Sequence, residues 1–412
     1  MQGLLPARTL SLVWHYLPDR GFCVKEIKGG ICAVKGVSAW GVKQGKYGLA
    51  LISAEGNAAG VFTRNRVIAA PLVLTRQNLE GGKLSAVIVN SGNANAFTGL
   101  EGIEDARTMA ALAADKLGID ENSVGVASTG IIGHRLDMSI IQSQLNQVEK
   151  SLTNSYEGSA QSAKAIMTTD TFTKEAAVEL SNGTCIGGIA KGSGMIEPNM
   201  GTMLAFIYTD AILDSVTLKQ CLHSAVDKSF NMVVVDGDTS TNDMTLITAT
   251  GQSGTPDPDE FQAGLDKVCI TLARMIARDG EGATRLIETR VKGAASHSDA
   301  VLVAKAIVRS PLVKSAIFGC DPNWGRVVAA VGYSGAQVEP DRISLEFSGK
   351  DKSAELVNGG KILEVPSGTL EDIMGSEEII ISVDLGLDNG SATAWGCDLS
   401  YDYVRINAEY TT

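Results

Sequence analysis

Residues Lys191-Gly-Ser-Gly-Met-Ile-Glu-Pro-Asn-Met-Gly-Thr-Met-Leu204 place a threonine directly behind a glycine, almost at the midpoint of a 412-residue chain. A cut before Thr202 leaves pieces of 201 and 211 residues. A threonine freed in this way carries a hydroxyl nucleophile and, on the same residue, an α-amine of intrinsic pKa about 7.7 to 8.0 that can act as its base. Gly201 lacks a Cβ, so it tolerates the strained backbone that lets the hydroxyl reach the preceding carbonyl, and it leaves that carbonyl open to attack. Thr202 can then cut its own chain by an N-to-O acyl shift. The ordinary reading of an isolated Gly-Thr pair is different. Gly192, Gly194 and Gly201 then only shape a turn into a strand, Met203 to Thr209, rich in β-favouring residues.

Outward from this stretch, helical and extended segments alternate. Leu218, Cys221, Leu222, Ala225 and Val226 recur at helical spacing, as do Phe261, Leu265, Val268, Leu272 and Met275. Gly280 is placed to stop the second helix, with Glu281 just beyond its end. Short β-rich runs, Ala86 to Val89, Met232 to Val235, Thr245 to Thr248 and Ile379 to Val383, fall between such helices. A layered, mixed α/β architecture follows. No Pro-, Ser- or charge-rich linker marks a domain border, since Gly251 to Asp259 reads equally well as a surface loop before the Phe261 helix. No repeat of solenoid period is present.

Composition bounds the function. With 44% hydrophobic and 20% charged residues the chain is a compact soluble protein, and its length exceeds the usual single-core size, so two packed halves or one large multilayer domain are expected. Its 45 glycines exceed the average share of about 7% and fit many tight turns and close backbone approaches. A net charge of −12 argues against nucleic acid, which needs a basic face. No apolar run reaches the roughly 18 residues of a membrane span, and the opening Met1 to Leu17, interrupted by Pro6, Arg8 and His15, lacks the form of a signal peptide. Seven cysteines without a Cys-x-x-Cys pair and four scattered histidines give neither a disulfide framework nor a zinc site. Reduced, mostly buried thiols and a cytoplasmic location are expected. Asp236, Asp238 and Asp243 begin like a calcium loop, but Thr241 stands where glycine is needed and Ile247 where glutamate is needed, so a hydrogen-bonded turn is expected instead. Lys191 precedes its glycines, which excludes a phosphate loop.

Seven stretches carry a family resemblance in order along the chain: the Lys191 stretch with Thr209 and Asp210, Asn90 to Ala96 with Thr98-Gly99, Ser128-Thr-Gly130 with Ile132-Gly133, Met167 to Thr171 with Lys174, Asp236 to Ser240 with Asn242-Asp243, Asp279 to Gly282, and Asp321 to Arg326. The chain also ends on Asn407-Ala408 and Tyr410-Thr411-Thr412. Together they resemble the ornithine acetyltransferase family, the glutamate N-acetyltransferases of arginine biosynthesis, from about residue 27 to the C-terminus. The resemblance implies an N-terminal extension (1–26), a large domain holding the processing site (27–285) and a smaller C-terminal domain (286–412), in a self-processing N-terminal-threonine acyltransferase fold of the DmpA-like type. Mature chains 1–201 and 202–412 would stay interwoven, two of each in a heterotetramer.

The resemblance also implies the site. Thr202 is the nucleophile, the Thr129 hydroxyl and the Gly130 amide form the oxyanion hole, and Thr168, Lys191, Thr202, Glu281, Asn407 and Thr412 contact substrate. Thr168 and Thr169 are alternatives at one position. Glu281 can orient the freed amine or bind the substrate's amine. Acetyl passes from N-acetylornithine to Thr202 and then to glutamate by ping-pong exchange, without cofactor or metal; acetyl-coenzyme A is a further donor in some members. Two features depart from the pattern: Gly201 stands where most relatives have alanine, and the first two dozen residues have no counterpart. The rival readings are a self-processing amidohydrolase or aminopeptidase, and a non-enzymatic amino-acid-binding protein that is never cut.

Overall fold

The computed structural model describes residues 22, 24–197 and 203–409. The strands are, in chain order, β1 (Lys25–Glu26), β2 (Ser38–Gln44), β3 (Tyr47–Phe62), β4 (Lys83–Asn93), β5 (Val124–Ile131), β6 (Lys174–Glu179), β7 (Cys185–Lys191), β8 (Leu204–Thr209), β9 (Val233–Val234) and β10 (Met244–Ala249), and β4, β8 and β10 are buried on both faces because their successive side chains alternate between two covered sides of the sheet. After these come β11 (Leu286–Ala294), β12 (Ser344–Gly349), β13 (Lys352–Asn358), β14 (Lys361–Ile362), β15 (Glu378–Asp384) and β16 (Gly390–Cys397). The helices are α1 (Ala70–Asn78), α2 (Gly99–Leu117), α3 (Met138–Glu149), α4 (Tyr156–Ala165), α5 (Ser215–Lys228), α6 (Pro258–Arg278), α7 (His297–Arg309), α8 (Pro311–Phe318), α9 (Trp324–Tyr333), α10 (Thr369–Met374) and α11 (Tyr401–Glu409).

Among the described residues two sheets form. The first runs β1-β6-β7-β8-β10-β3-β4-β5, with β2 paired to the early part of β3; the second runs β14-β13-β12-β15-β11-β16-β9. Their division does not follow chain order. Between β8 and β10 the chain leaves the first sheet to place Val233 and Val234 beside Trp395 and Gly396 of β16, then returns. One core cluster accordingly runs through both sheets, joining Ile207 and Ile247 of the first to Ile287 and Ile381 of the second through Leu222 of α5, Leu272 of α6 and Val303 of α7. Burial of these aliphatic side chains, each worth about 1.5 to 3 kcal/mol, makes the two sheets one packed body.

The helical spacings around Leu218 and Phe261 become α5 and α6, each capped by an aspartate, Asp214 and Asp257, that accepts from first-turn amides. Pro258 opens α6, where a missing N–H costs nothing. Helix α6 ends just before Gly280, as expected, but Gly280 does not stop it through a left-handed turn. Asp279 occupies the C-terminal cap with φ −93°, and a Cβ on residue 280 would stand 2.5 Å from the Cys397 sulfur. Glycine is there for packing. The thiols are also less buried than expected: of the six described, all unpaired, only Cys269 and Cys397 are fully buried and Cys320 is exposed. No helix among the described residues is long and apolar enough to cross a membrane.

Candidate active site

Parallel pairing of β4 with β5 sets Ser91 beside Thr129 and Gly92 beside Gly130. Gly130 adopts φ +132°, and a Cβ there would lie 2.4 Å from the Gly92 carbonyl carbon, so only glycine allows the two strand ends to close together. Three side chains brace this corner. Ser128 Oγ donates to Asn90 Oδ1, Asn90 Nδ2 donates to the Asn93 carbonyl at 2.9 Å, and Asn242 Nδ2 donates to the Ser128 carbonyl at 2.9 Å. Asn242 stands just before β10, so the corner is tied to the strand beside β8. Thr129 is 9% exposed, and among the described residues its hydroxyl takes part in no hydrogen bond. A held backbone with an uncommitted hydroxyl is what an oxyanion donor requires.

Lys191 ends β7. Its Cα pairs with that of Leu204, the first residue of β8, and Leu204 pairs on its other side with Met244 of β10. The Met203 carbonyl accepts from the Met244 amide at 3.1 Å. Gly201, Thr202 and Thr412 lie outside the described residues. The described chain therefore resumes at Met203 in the middle of the first sheet, flanked by Lys191 and by the Asn242 entry to β10. Lys191 is 8% exposed, and its ammonium has no hydrogen-bond or ion-pair partner among the described residues. Its nearest counter-charge is Asp170, and its own donors stay uncommitted, which leaves them open to a ligand anion.

Asp170 organises the neighbourhood. Its carboxylate accepts from the Gly192 amide at 2.7 Å, the Thr168 amide at 3.0 Å and Lys174 Nζ at 2.7 Å. Burial pushes the Asp170 carboxyl up, but the Lys191 and Lys174 ammoniums together hold it well below the usual carboxylate range. Lys174 is fully buried between Asp170 and Asp279, the latter at 2.5 Å, and Asp279 also accepts from the Thr171 amide and hydroxyl. The loop bearing Thr168 and Thr169, both half-buried, is thereby fixed to the end of α6.

Past Asp279 the chain turns back toward the Lys191 stretch. Ser193 Oγ donates to the Asp279 carbonyl at 2.7 Å and the Glu281 amide to the Ser193 carbonyl at 3.0 Å. Asn407 Nδ2 on α11 donates to Glu281 Oε2 at 2.9 Å. Glu281 and Asn407, 126 positions apart in sequence, thus meet beside Ser193. Tyr403 on the same helix has its phenol pushed up to about 12 by burial and by the nearby Asp236, Glu281 and Asp238 carboxylates, which keeps it protonated. Asp236 spends its carboxylate on the amides of Met195 (2.6 Å), Ile196 (2.8 Å) and Asp238 (3.2 Å), the hydrogen-bonded turn expected of it. Glu197, nearly buried, pairs with Arg309 and, at 3.4 Å, with Lys305, both on α7.

Lys43, Lys305 and Arg309 belong to no motif, and sequence reading passes over them. Each reaches the site region from a distant element. Thr129 with Gly130, Lys191 with Thr168, and Glu281 with Asn407 form three groups linked by Asp170, Asp279, Ser193 and Asn242.

The sequence of residues 34–412 matches the model of the ArgJ family. A glutamate N-acetyltransferase of Methanosarcina mazei is 61% identical over 395 residues, which cover 94% of this chain and 100% of that protein. An arginine biosynthesis bifunctional protein ArgJ of Archaeoglobus fulgidus is 48% identical over 382 residues, covering 93% and 100%. A solved arginine biosynthesis bifunctional protein ArgJ from Bacillus halodurans shares 42% identity, covers 51% of this chain and 100% of its own, and superposes with a TM-score of 0.47. With a family match across nearly the whole chain and relatives this close over their full length, the chain belongs to the ArgJ family.

Proposed function

We propose that this protein is a glutamate N-acetyltransferase that carries acetyl from N-acetylornithine to glutamate on Thr202, after cutting itself between Gly201 and Thr202. Family membership supports the reaction. The observation that carries the site is Lys191: its nearly buried ammonium donates no hydrogen bond among the described residues, and its backbone pairs across β7 and β8 with Leu204, two residues past the proposed nucleophile. Both substrates are amino acids with an α-carboxylate, an anion that can take up the hydrogen-bond donors Lys191 leaves uncommitted.

In the first step the Thr202 hydroxyl oxygen bonds to the Gly201 carbonyl carbon, the C–N bond breaks, and the hydroxyl proton moves to the departing nitrogen. Water then hydrolyses the resulting ester to a Gly201 carboxylate and a free Thr202. In acetyl transfer the Thr202 amine takes the hydroxyl proton as the oxygen attacks the acetyl carbonyl, and it returns that proton to the nitrogen of leaving ornithine. Thr129 Oγ and the Gly130 amide receive the negative charge that develops on the carbonyl oxygen. The amine of glutamate then attacks the acetyl ester and regenerates Thr202. Thr168, Glu281, Asn407 and Thr412 complete substrate binding in this reading. Two copies of each chain form the cytoplasmic enzyme.

The purified protein releases ornithine from N-acetylornithine in proportion to added glutamate, and EDTA leaves the rate unchanged. Release indifferent to glutamate would instead identify a hydrolase. An acetyl-enzyme accepts acetyl from any donor whose carbonyl reaches Thr202, so replacing N-acetylornithine by acetyl-coenzyme A measures whether one or two donors are used. Thr202→Ala yields a single inactive chain of 43.1 kDa, whereas wild type yields two chains, the second beginning Thr-Met-Leu-Ala-Phe.

A further inference from the structure

Four strands of the first sheet align Lys43 of β2, Gly48 of β3, Ser91 of β4 and Thr129 of β5 in one row. Strands lie about 4.8 Å apart, so a lysine on β2 reaches β4 only if nothing rises from β3 between them. Nothing does. A Cβ on residue 48 would stand 2.9 Å from the Lys43 side chain and 2.7 Å from Ser91 Oγ, so glycine at that point leaves the channel along which Lys43 runs. Its ammonium donates to Ser91 Oγ at 2.8 Å, to the Met167 carbonyl at 2.5 Å and to the Lys46 carbonyl at 3.2 Å. One contact is thus to the neighbour of Thr129 in register, and another to the residue preceding Thr168.

We propose that Lys43 is a positioning residue for substrate binding: it pins the Thr168 loop against the Ser91–Thr129 row and supplies the positive charge that makes the pocket attract a substrate α-carboxylate. The inference rests on the acetyl-transfer reading given above. The charges near Lys43 are Lys191 on β7 and Asp170 on the Thr168 loop, and beyond Asp170 stand Lys174 and Asp279. Formally, three lysines face two aspartates. Asp170 and Asp279 are already engaged by Lys174 and by amides, so one net positive charge is left for a ligand. Without Lys43 the cluster is neutral and Lys191 faces Asp170 alone. All three ammonium protons of Lys43 are held by protein acceptors, which leaves it to act on substrate through field and loop geometry rather than by direct contact. Burial, the largest influence, and Lys191 lower its pKa to about 8, against the opposing pull of Asp170. The free enzyme therefore loses this charge as pH rises through about 8.

The test is steady-state kinetics of the self-processed enzyme across pH 6.5 to 9.5, for wild type, Lys43→Met and Lys43→Arg. Lys43→Met keeps the length of the side chain and removes its charge and donors. It raises KM for both N-acetylornithine and glutamate tenfold or more, with kcat within about threefold. Wild type shows a fall in kcat/KM above about pH 8, which Lys43→Met lacks. Lys43→Arg retains its charge throughout, so the fall is absent or moves to higher pH, and this variant decides the matter should the methionine variant not fold. A Lys43→Met enzyme with KM within twofold of wild type overturns the proposal, as does an alkaline fall that is the same in wild type and Lys43→Arg. A wild type without acetyl transfer would overturn the underlying reading instead, so the two failures are distinguishable.

Discussion

Thr129 has the backbone support and the uncommitted hydroxyl of a transition-state donor, and neither depends on its side chain for folding. Thr129→Ala is therefore expected to lower kcat by about 100- to 1000-fold while the melting temperature stays nearly unchanged, measured by turnover and thermal unfolding. Survival of activity within threefold would make it a turn residue. Asp170 is the opposite case, since it closes a buried ion triad and orders the Thr168 loop. Asp170→Asn leaves Lys174 and Lys191 short of an anion and is expected to cost about 3 to 5 kcal/mol of stability by denaturant unfolding. The sign of its pH dependence follows from its lowered folded-state pKa: the stabilisation is present above the unfolded value of 3.8 and is lost as acid protonates the carboxylate. The stability gap between wild type and Asp170→Asn is therefore expected to be full above pH 3.8 and to narrow in stronger acid, because the variant has no such carboxylate to lose. Thr129, Lys191 and Glu281 were legible in the chain because each sits in a short ordered motif. Lys43 was not, because its meaning lies in a register with Gly48 and Ser91 that only sheet pairing creates.

At the scale of elements, periodicity identified α5 and α6 and the buried strands, where one physical pattern dominates. It placed the end of α6 beside Gly280 but not the reason for that glycine, whose small size answers to Cys397, more than a hundred residues away. Strand order was equally hidden, since β9 joins the second sheet by pairing with β16. Helix α11 shows how such distant pairings bring candidate site residues together. None of its residues is fully buried, yet it brings Asn407 to Glu281 and Tyr403 near the Asp236 carboxylate. A neutral-to-charged hydrogen bond of this kind is worth about 1.5 to 3 kcal/mol, toward the lower end where water competes. Asn407→Ala is expected to raise KM about tenfold with a smaller change in kcat. Truncation after Glu409 tests the final three residues in the same way, and an unaltered KM would place them outside the site.

Across the whole molecule, the proposed cut falls between β7 and β8, neighbours in the interior of the first sheet. Six register pairs from Ile186–Thr209 to Lys191–Leu204 join them, and Glu197 of the first chain pairs with Lys305 and Arg309 of the second. Separating the chains would expose a core shared by both sheets. The two chains are therefore expected to copurify and to part only on unfolding, so that size-exclusion and circular-dichroism transitions in denaturant coincide. Dissociation well before loss of secondary structure would contradict this. Because β8 starts between Lys191 and Met244, the proposed cut would make the intact peptide bond a protecting group. It would keep the threonine amine as an uncharged, unreactive amide while the strands assemble. On this reading a second chain synthesised alone would lack β7 and Lys191, the elements that flank the start of β8.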